Sequence, residues 1–149
     1  MRIALPAVIF LLFCTFTNGF AQETNPAQQV QSIRKDVYTR TLNLSTDESN
    51  RFWPVFDEMQ AKLNEINKKT RIERQNINQN YNTLTDAQME RAVDNLLDLQ
   101  QQSLDIQKKY YQKFKKVIPI KKVALMPKAK REFEKELLKI IQGYKDSDE

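Results

Sequence analysis

The chain of 149 residues contains no histidine, one cysteine and two glycines, and each shortage argues against a class of protein. Without histidine, the sequence lacks the commonest general base and the commonest metal ligand. A β-rich fold needs tight turns that usually contain glycine. The small number of glycines therefore favours helices over strands. There is also no Gly-rich phosphate loop and no Gly-x-Ser-x-Gly motif. We therefore expect an all-α protein that is not an enzyme and has no cofactor.

The first residues have the pattern of a secretory signal peptide. Arg2 supplies a positive start, residues 3–16 are almost wholly apolar, and Gly19 and Ala21 are small residues where signal peptidase requires them. The apolar run is too short for a membrane-spanning helix and is followed at once by polar residues. The pattern predicts cleavage after Ala21 and export to the periplasm.

Cys14 offers an alternative, since it would be the acylated residue of a lipoprotein. The bulky Phe13 argues against this, because a small residue is expected before an acylated cysteine. With cleavage after Ala21 the mature chain has no cysteine, and therefore no disulfide and no thiolate metal site. Its length predicts one helical domain over 22–145 and a disordered tail over 146–149.

Two similar segments, Leu44-Ser45-Thr46-Asp47-Glu48 and Leu84-Thr85-Asp86-Ala87-Gln88, each predict the start of a helix. In each, a hydroxyl residue is followed three positions later by Glu or Gln, which is the pattern of a capping box. The leucine before each cap is placed to act as a hydrophobic staple. The residues of this helix-capping motif are Leu44, Ser45, Glu48, Leu84, Thr85 and Gln88.

The spacing of apolar residues predicts four helices, of which the second and third are long and antiparallel. The predicted ranges are 26–41, 46–82, 86–118 and 120–142. Pro54 lies inside the second range and is expected to kink that helix, while Pro119 ends the third. Pro127 is expected to bend the fourth helix or delay its start, and Gly143 to cap its end.

Each predicted helix has an apolar face, which we expect to point into the core. The predicted inward residues of the three longer helices are Phe52, Phe56, Met59, Leu63 and Ile66; Val93, Leu97, Leu104, Tyr111, Phe114 and Ile118; and Val123, Met126, Phe133, Leu137 and Ile141. Gln100 and Gln107 interrupt the second of these sets. The second half of helix two has few apolar residues, so we expect it to be poorly buried or mobile.

The segment from Ile106 to Arg131 is rich in lysine and contains no acidic residue. One interpretation is a solvated surface that pairs with acidic neighbours. The other is a basic, aromatic patch suited to an acidic or aromatic partner. The candidate partner-binding residues are Tyr110, Tyr111, Phe114, Lys115, Lys116, Lys121 and Lys122. Because the chain is expected to be exported, we do not expect nucleic acid as a partner.

Trp53 also has two interpretations. It can anchor the packing of a neighbouring helix, or it can contribute to an apolar binding surface. Because Phe52 and Phe56 occupy the inward face of the same helix, we expect Trp53 to serve in packing.

Several segments resemble the Spy/CpxP group of periplasmic proteins, which is named for its Leu-Thr-x-x-Gln (LTXXQ) motif. Leu84 to Gln88 matches that motif in full. Leu42-Asn43-Leu44-Ser45 and Phe52-Trp53-Pro54 are similar to a Bacteroidota branch labelled as sensors of extracytoplasmic sigma factors. That branch also has segments similar to Lys109–Val117 and to Arg131-Glu132-Phe133.

The resemblance implies a bent helical hairpin that pairs into a cradle-like homodimer. It implies either an ATP-independent chaperone that holds partly unfolded envelope proteins, or a signalling adaptor acting on a stress regulator in the membrane. The sequence leaves these two open, together with the client or regulator and the dimer geometry. The absence of histidine argues against a metal sensor, although Met and carboxylate ligands stay open.

Overall fold

The computed structural model describes residues 25–146, with side chains as far as Gln142, and every long element in it is a helix. The helices are α1 (Pro26–Thr41), α2 (Thr46–Asn80), α3 (Asp86–Val117), the single turn α4 (Ile120–Val123) and α5 (Met126–Asp146). Four long helices and no strand in this part of the chain confirm the all-α prediction. The predicted signal peptide and residues 147–149 of the predicted tail lie outside the described residues.

The connection between α1 and α2 is short because hydrogen bonds within the chain cap the C-terminal end of α1. The N–H of Asn43 donates to the carbonyl of Arg40 at 3.1 Å, and the N–H of Leu44 donates to Thr39 at 3.0 Å. This pair of hydrogen bonds is a Schellman motif, and Asn43 occupies its left-handed position with a φ of 47°. Asparagine tolerates that conformation better than most residues, so no glycine is needed here.

Helices α2 and α3 form a long antiparallel hairpin. With 35 residues, α2 is about 50 Å long. At the turn, the carbonyl of Asn80 accepts hydrogen bonds from the N–H groups of Thr83 and Leu84, both at 2.9 Å. Pro54 lies inside α2 without ending it, as predicted. The kink expected at Pro54 stays a prediction.

The hydrophobic core lies at one end of the hairpin, where α1, α4 and α5 pack against it; we call this end the head. Its core residues are Val37, Tyr38, Leu42, Leu44, Phe52, Phe56, Met59, Tyr110, Phe114, Ile118, Val123, Ala129 and Phe133. The ring of Phe52 lies 5.4 Å from that of Phe56 and 5.2 Å from that of Phe114, which joins α2 to α3. The inward face predicted for α2 is confirmed, with Leu63 partly buried.

Helix α5 runs antiparallel to α1 and, together with α1, covers the core of the head. The hydroxyl of Thr41 donates to the carboxylate of Glu132, and the guanidinium of Arg34 lies 4.9 Å from the centre of the Phe133 ring. The predicted fourth helix is interrupted at residues 124–125, so that its long part, α5, starts only at Met126. This agrees with the start delayed by Pro127 that the sequence predicted. Pro127 occupies the first turn of α5, where its missing N–H leaves no helical hydrogen bond unmade.

The C-terminal end of α5 differs from the prediction in two respects. The helix continues through Gly143 to Asp146, so Gly143 is not its cap and Asp146 is not part of a tail. A single glycine costs a helix only about 1 kcal/mol, which is too little to end it without a following helix breaker. Ile141 was predicted to face inward and is exposed, whereas its neighbour Ile140 lies beside Ile33 and Val37 of α1.

The rest of the hairpin, residues 67–102, is a two-helix arm that extends beyond the core. Ala92 is the one buried side chain in this part of the chain. Ile72 and Tyr81 are exposed, which confirms the poorly buried second half predicted for α2. Two helices alone can cover only the faces that they turn toward each other, so each keeps its outer face open to solvent.

The inward face predicted for α3 is wrong from Val93 to Tyr111. Val93, Leu97, Leu104 and Tyr111 are 46%, 56%, 44% and 43% exposed, respectively. Helix α3 carries two neighbouring rows of residues at spacings of three and four, and the other row, which contains Ala92, Leu99, Ile106 and Tyr110, is the more buried. The predicted row contains Gln100 and Gln107, whose amides would lose hydrogen bonds to water if buried. Only its last members, Phe114 and Ile118, are buried, where the head covers them.

Candidate functional site

Both predicted capping boxes are present. The hydroxyl of Ser45 accepts from the N–H of Glu48 at 3.2 Å, and the carboxylate of Glu48 accepts from the N–H of Ser45 at 2.8 Å. The hydroxyl of Thr85 accepts from the N–H of Gln88 at 3.4 Å, and the amide oxygen of Gln88 accepts from the N–H of Thr85 at 2.9 Å. These contacts fix where α2 and α3 begin.

The leucines that precede the caps differ in their packing. Leu44 is buried in the core of the head, while Leu84 is half-buried at the tip of the arm. A hydrophobic staple requires an apolar residue four positions after the cap, and that position of α2 is Ser49. The staple predicted for Leu44 is therefore wrong, and Leu44 is held by the core instead.

Lys122 was predicted to bind a partner, but its ammonium group is already used inside the protein. It donates to the carboxylate of Glu48 at 2.6 Å and to the carbonyl of Asn43. The pKa of Glu48 is lowered, first by the hydrogen bond from Lys122 and then by the N–H of Ser45. Lys122 thus joins α4 to the end of α1 and the start of α2. It is therefore no longer a candidate for binding a partner.

Tyr110 and Phe114 are also excluded as partner-binding residues, because both side chains are buried in the core. Tyr110 lies beside the ion pair that Lys113 forms with Glu58 at 2.7 Å, and the Lys113 nitrogen is 4.5 Å from the ring centre. The pKa of Tyr110 is raised by burial and then by Glu58. Its hydroxyl makes no hydrogen bond of standard geometry. The ion pair therefore joins α2 to α3, while the buried side chains of Tyr110 and Phe114 offer no area to a partner.

The remaining candidates are exposed and lie at or near the corner where α3 meets α4. The Lys115 nitrogen is 5.1 Å from the centre of the Tyr111 ring. Two exposed apolar residues that the sequence did not nominate, Ile120 and Leu125, belong to the same part of the chain. We call this group of exposed residues the basic corner; its members are Tyr111, Lys115, Lys116, Ile120, Lys121 and Leu125.

The lysine-rich segment divides into paired and unpaired cations. Lys113, Lys122, Lys128 and Lys130 each form an ion pair with a glutamate, as expected for a solvated surface. No ion pair among the described residues involves Lys115, Lys116 or Lys121. The basic corner therefore keeps positive charge that is free to meet an acidic partner.

A groove of about 670 Å³ opens between α2, α3 and the start of α5. Phe56, Met59 and Phe114 form its floor, while Gln107, Tyr111 and Lys130 are on its rim. No acidic side chain lines it. The groove was not predicted, because its walls come from segments far apart in the sequence.

Trp53 serves in packing, as predicted. Its half-buried ring meets the rings of Tyr38 and Phe56 edge to face, at centroid distances of 6.3 and 5.3 Å. Lys35 of α1 lies 5.9 Å from its ring centre. Trp53 therefore anchors α1 on α2.

The part of the chain that the structure describes has neither a cluster of metal ligands nor a membrane-spanning helix. No three His, Cys, Asp or Glu side chains come together as metal ligands. None of the described helices is both long and apolar enough to cross a membrane.

No protein-family model, no curated protein and no solved structure matches this chain significantly.

Proposed function

We propose that this protein is a periplasmic binding protein, exported by a signal peptide that is cleaved after Ala21. It acts without ATP, as an LTXXQ-type chaperone that holds partly unfolded envelope proteins, and it does not catalyse a reaction. Two protomers pair into a cradle-like homodimer, as the resemblance to the Spy/CpxP group implies.

One observation carries the proposal: the basic corner combines unpaired lysines with exposed apolar side chains. Ile120 is 52% exposed and Leu125 is 39% exposed, next to Lys121 and the end of α3. Exposed apolar surface provides weak contacts to any unfolded segment, and the lysines attract acidic clients from a distance. Such a surface holds many sequences without selecting one.

The same unpaired lysines favour a second candidate function, a signalling adaptor that docks on an acidic domain of a membrane-bound stress regulator. Affinity capture from the periplasm separates the two functions. One dominant regulator among the captured proteins supports the adaptor, while many unrelated proteins support the chaperone.

The test of holding activity is light scattering by a denatured client as it aggregates, with and without the purified protein, at low and moderate salt. We expect suppression of aggregation at an equimolar ratio, stronger at low salt because the lysines are exposed. Absence of suppression at both salt concentrations would contradict the proposal.

The basic corner is tested by changing Lys115, Lys116 and Lys121 together to glutamate. Lys122 stays, because its ammonium group is paired with Glu48 and is not part of the basic corner. Since two of the three lysines lie in the last turn of α3, where negative charge opposes the helix dipole, the same triple change to glutamine is the milder variant. The matched control changes the exposed Lys62, Lys68 and Lys135, which lie elsewhere, to glutamate. Loss of holding in the corner variants alone, with helicity unchanged by circular dichroism, is the expected result.

A further inference from the structure

The groove between α2, α3 and the start of α5 has an apolar floor and a polar rim. Phe56, Met59 and Phe114 of the floor belong to the core of the head, and Leu63 extends the apolar surface toward the arm. The volume of about 670 Å³ lies within the range of small-molecule sites in proteins, which is about 300–1,000 Å³. The groove is therefore large enough for a small organic ligand.

The lining residues also give the length of the groove. They run along α2 from Phe56 to Asn67 and along α3 from Ser103 to Phe114, which is about 16 Å on each helix. On α2 the apolar part ends at Leu63, after about 10 Å. An extended alkyl chain advances about 1.3 Å per carbon, because its C–C bonds of about 1.5 Å alternate in direction. The groove therefore accommodates a chain of about eight to twelve carbons.

The charge of the groove is positive. Lys130 lines it, and no Asp or Glu of the described chain does. Lys130 pairs with Glu134 at 3.8 Å, but both side chains are more than half exposed, so this contact is weak and leaves N–H groups of the lysine free to donate. The unpaired Lys115 lies against the ring of Tyr111 on the rim. Charge complementarity therefore favours an anionic ligand.

We propose that this groove binds an aliphatic carboxylate of about eight to twelve carbons, such as decanoate. Its carboxylate lies at Lys130 and its alkyl chain lies on the apolar floor. The ammonium group attracts the carboxylate, while each methylene that leaves water adds to the affinity. This site goes beyond the proposed function, since neither client holding nor pairing of protomers requires it.

The floor favours an alkyl chain over a polypeptide. A bound polypeptide brings an N–H and a carbonyl at every residue, and each needs a hydrogen-bond partner when it is buried. The side chains of Phe56, Met59 and Phe114 carry no N–H or O–H group, and all three residues lie within helices whose backbone groups bond to each other. An alkyl chain has no polar group that would lose a partner on this floor.

The first test is isothermal titration calorimetry of the purified protein with saturated carboxylates of about six to fourteen carbons, below their critical micelle concentrations. We expect one site per chain and an affinity that rises by up to about fourfold per methylene, then levels off beyond about twelve carbons. Decylammonium, which has a similar chain and the opposite charge, should bind at least about tenfold more weakly than decanoate. Absence of binding, equal binding of these two compounds, or an affinity that is still rising at the longest chain would overturn the proposal.

The second test changes residues of the lining. Lys130→Gln should weaken decanoate binding by about three- to tenfold. Its matched control is Lys128→Gln, since Lys128 is on the same helix, pairs with a glutamate at 3.7 Å and does not line the groove. Leu63→Ser should weaken binding by at least about fivefold, and Leu99→Ser, at a half-buried position of the arm, is its control.

Circular dichroism checks that the variants keep their helicity. The lysine pair decides the outcome if a leucine variant does not fold, because both lysines are exposed. Equal effects of Lys130→Gln and Lys128→Gln would overturn the proposal.

Competition separates two other occupants of the groove. Displacement of decanoate by a denatured client at equal concentration would assign the groove to clients, and weaker decanoate binding at higher protein concentration would assign it to a second copy of the chain. Either result would overturn the proposal. Client holding is measured by light scattering without any carboxylate, so a failure of holding and a failure of decanoate binding are distinguished.

Discussion

The head and the arm are built on the same two helices but are stabilised by different means. In the head, α2 and α3 share an aromatic core with α1, α4 and α5, and Phe52 touches rings on both sides of the hairpin. In the arm, the two helices have only each other, and Ala92 is the one buried side chain between residues 67 and 102. The difference shows that the number of neighbouring helices, and not helix propensity, decides how much of an amphipathic helix is buried.

The two regions also differ in how they use charge. In the arm, α2 carries basic residues such as Lys68 and Arg74, and α3 carries acidic residues such as Glu90 and Asp98. No ion pair among the described residues joins the two helices there, whereas Lys113 and Glu58 form one in the head. The charges of the arm therefore attract the two helices only through their mean field, while those of the head form specific contacts.

The largest expected effect comes from the core of the head. Phe52→Ala should destabilise the protein by about 3–5 kcal/mol, because a fully buried ring is removed from between Phe56 and Phe114. Ile72→Ala in the arm is the control and should cost under about 1 kcal/mol, since Ile72 is exposed. Urea unfolding measures both, and Phe52→Leu replaces the alanine variant if that variant does not fold. Similar losses at the two positions would contradict the division into head and arm.

The next effect concerns the opening of the arm, measured by hydrogen exchange. Amides of α2 beyond residue 67 should exchange at least about a hundredfold faster than those near Phe56, because the arm can open without exposing the aromatic core. The two halves of one helix act as controls for each other, since solvent and temperature are the same. Uniform protection along α2 would mean that the arm and the head unfold as one unit.

Removing a cap should have a smaller effect that depends on the region. Ser45→Ala and Thr85→Ala each remove one capping hydrogen bond, worth about 1 kcal/mol. Ser45 caps a helix end held by the head, so its loss should lower the urea midpoint of the whole protein. Thr85 caps the tip of the arm, so its loss should speed hydrogen exchange in the arm and leave that midpoint almost unchanged. Equal shifts of the midpoint would contradict separate opening of the arm.

The features that could be predicted from the sequence are those set by neighbouring residues. Both capping boxes, the start of α1 at Pro26 and the end of α3 before Pro119 are local signals and are confirmed. The inward face of α3 was not predictable in this way, because two apolar rows lie side by side and the choice depends on how closely α2 approaches. Once the approach of α2 is known, the small residues Ala92 and Ser103 identify the correct row.

The candidate site depended still more on distant contacts. Lys121 and Lys122 are identical residues next to each other, yet one is exposed and the other is held by Glu48 and Asn43. Nothing in the local sequence distinguishes them, since the carboxylate and carbonyl that hold Lys122 come from the α1–α2 connection. Tyr110 and Tyr111 differ for the same reason, because one faces α2 and the other faces solvent.

The smallest expected effect concerns the difference in charge between the two capping boxes. Glu48 of the head has Lys122 as a partner, whereas Gln88 of the arm is uncharged. Glu48→Gln should cost less than removing a cap, because the amide oxygen still accepts from the N–H of Ser45. The pKa of Glu48 lies below its ordinary value of 4.5 in the folded protein, chiefly because Lys122 donates to it.

A carboxyl whose pKa is lower in the folded than in the unfolded state adds stability above its unfolded pKa and loses it as the pH falls through the folded value. The advantage of the unaltered protein over Glu48→Gln should therefore be complete at pH 7 and decline below pH 4.5. Urea midpoints at several pH values measure this decline. In a Lys122→Met background the pH-dependent part should be reduced sharply, because only the smaller contribution of the Ser45 N–H then lowers the pKa. A pH dependence of the same size in both backgrounds would assign the shift to the helix terminus and not to Lys122.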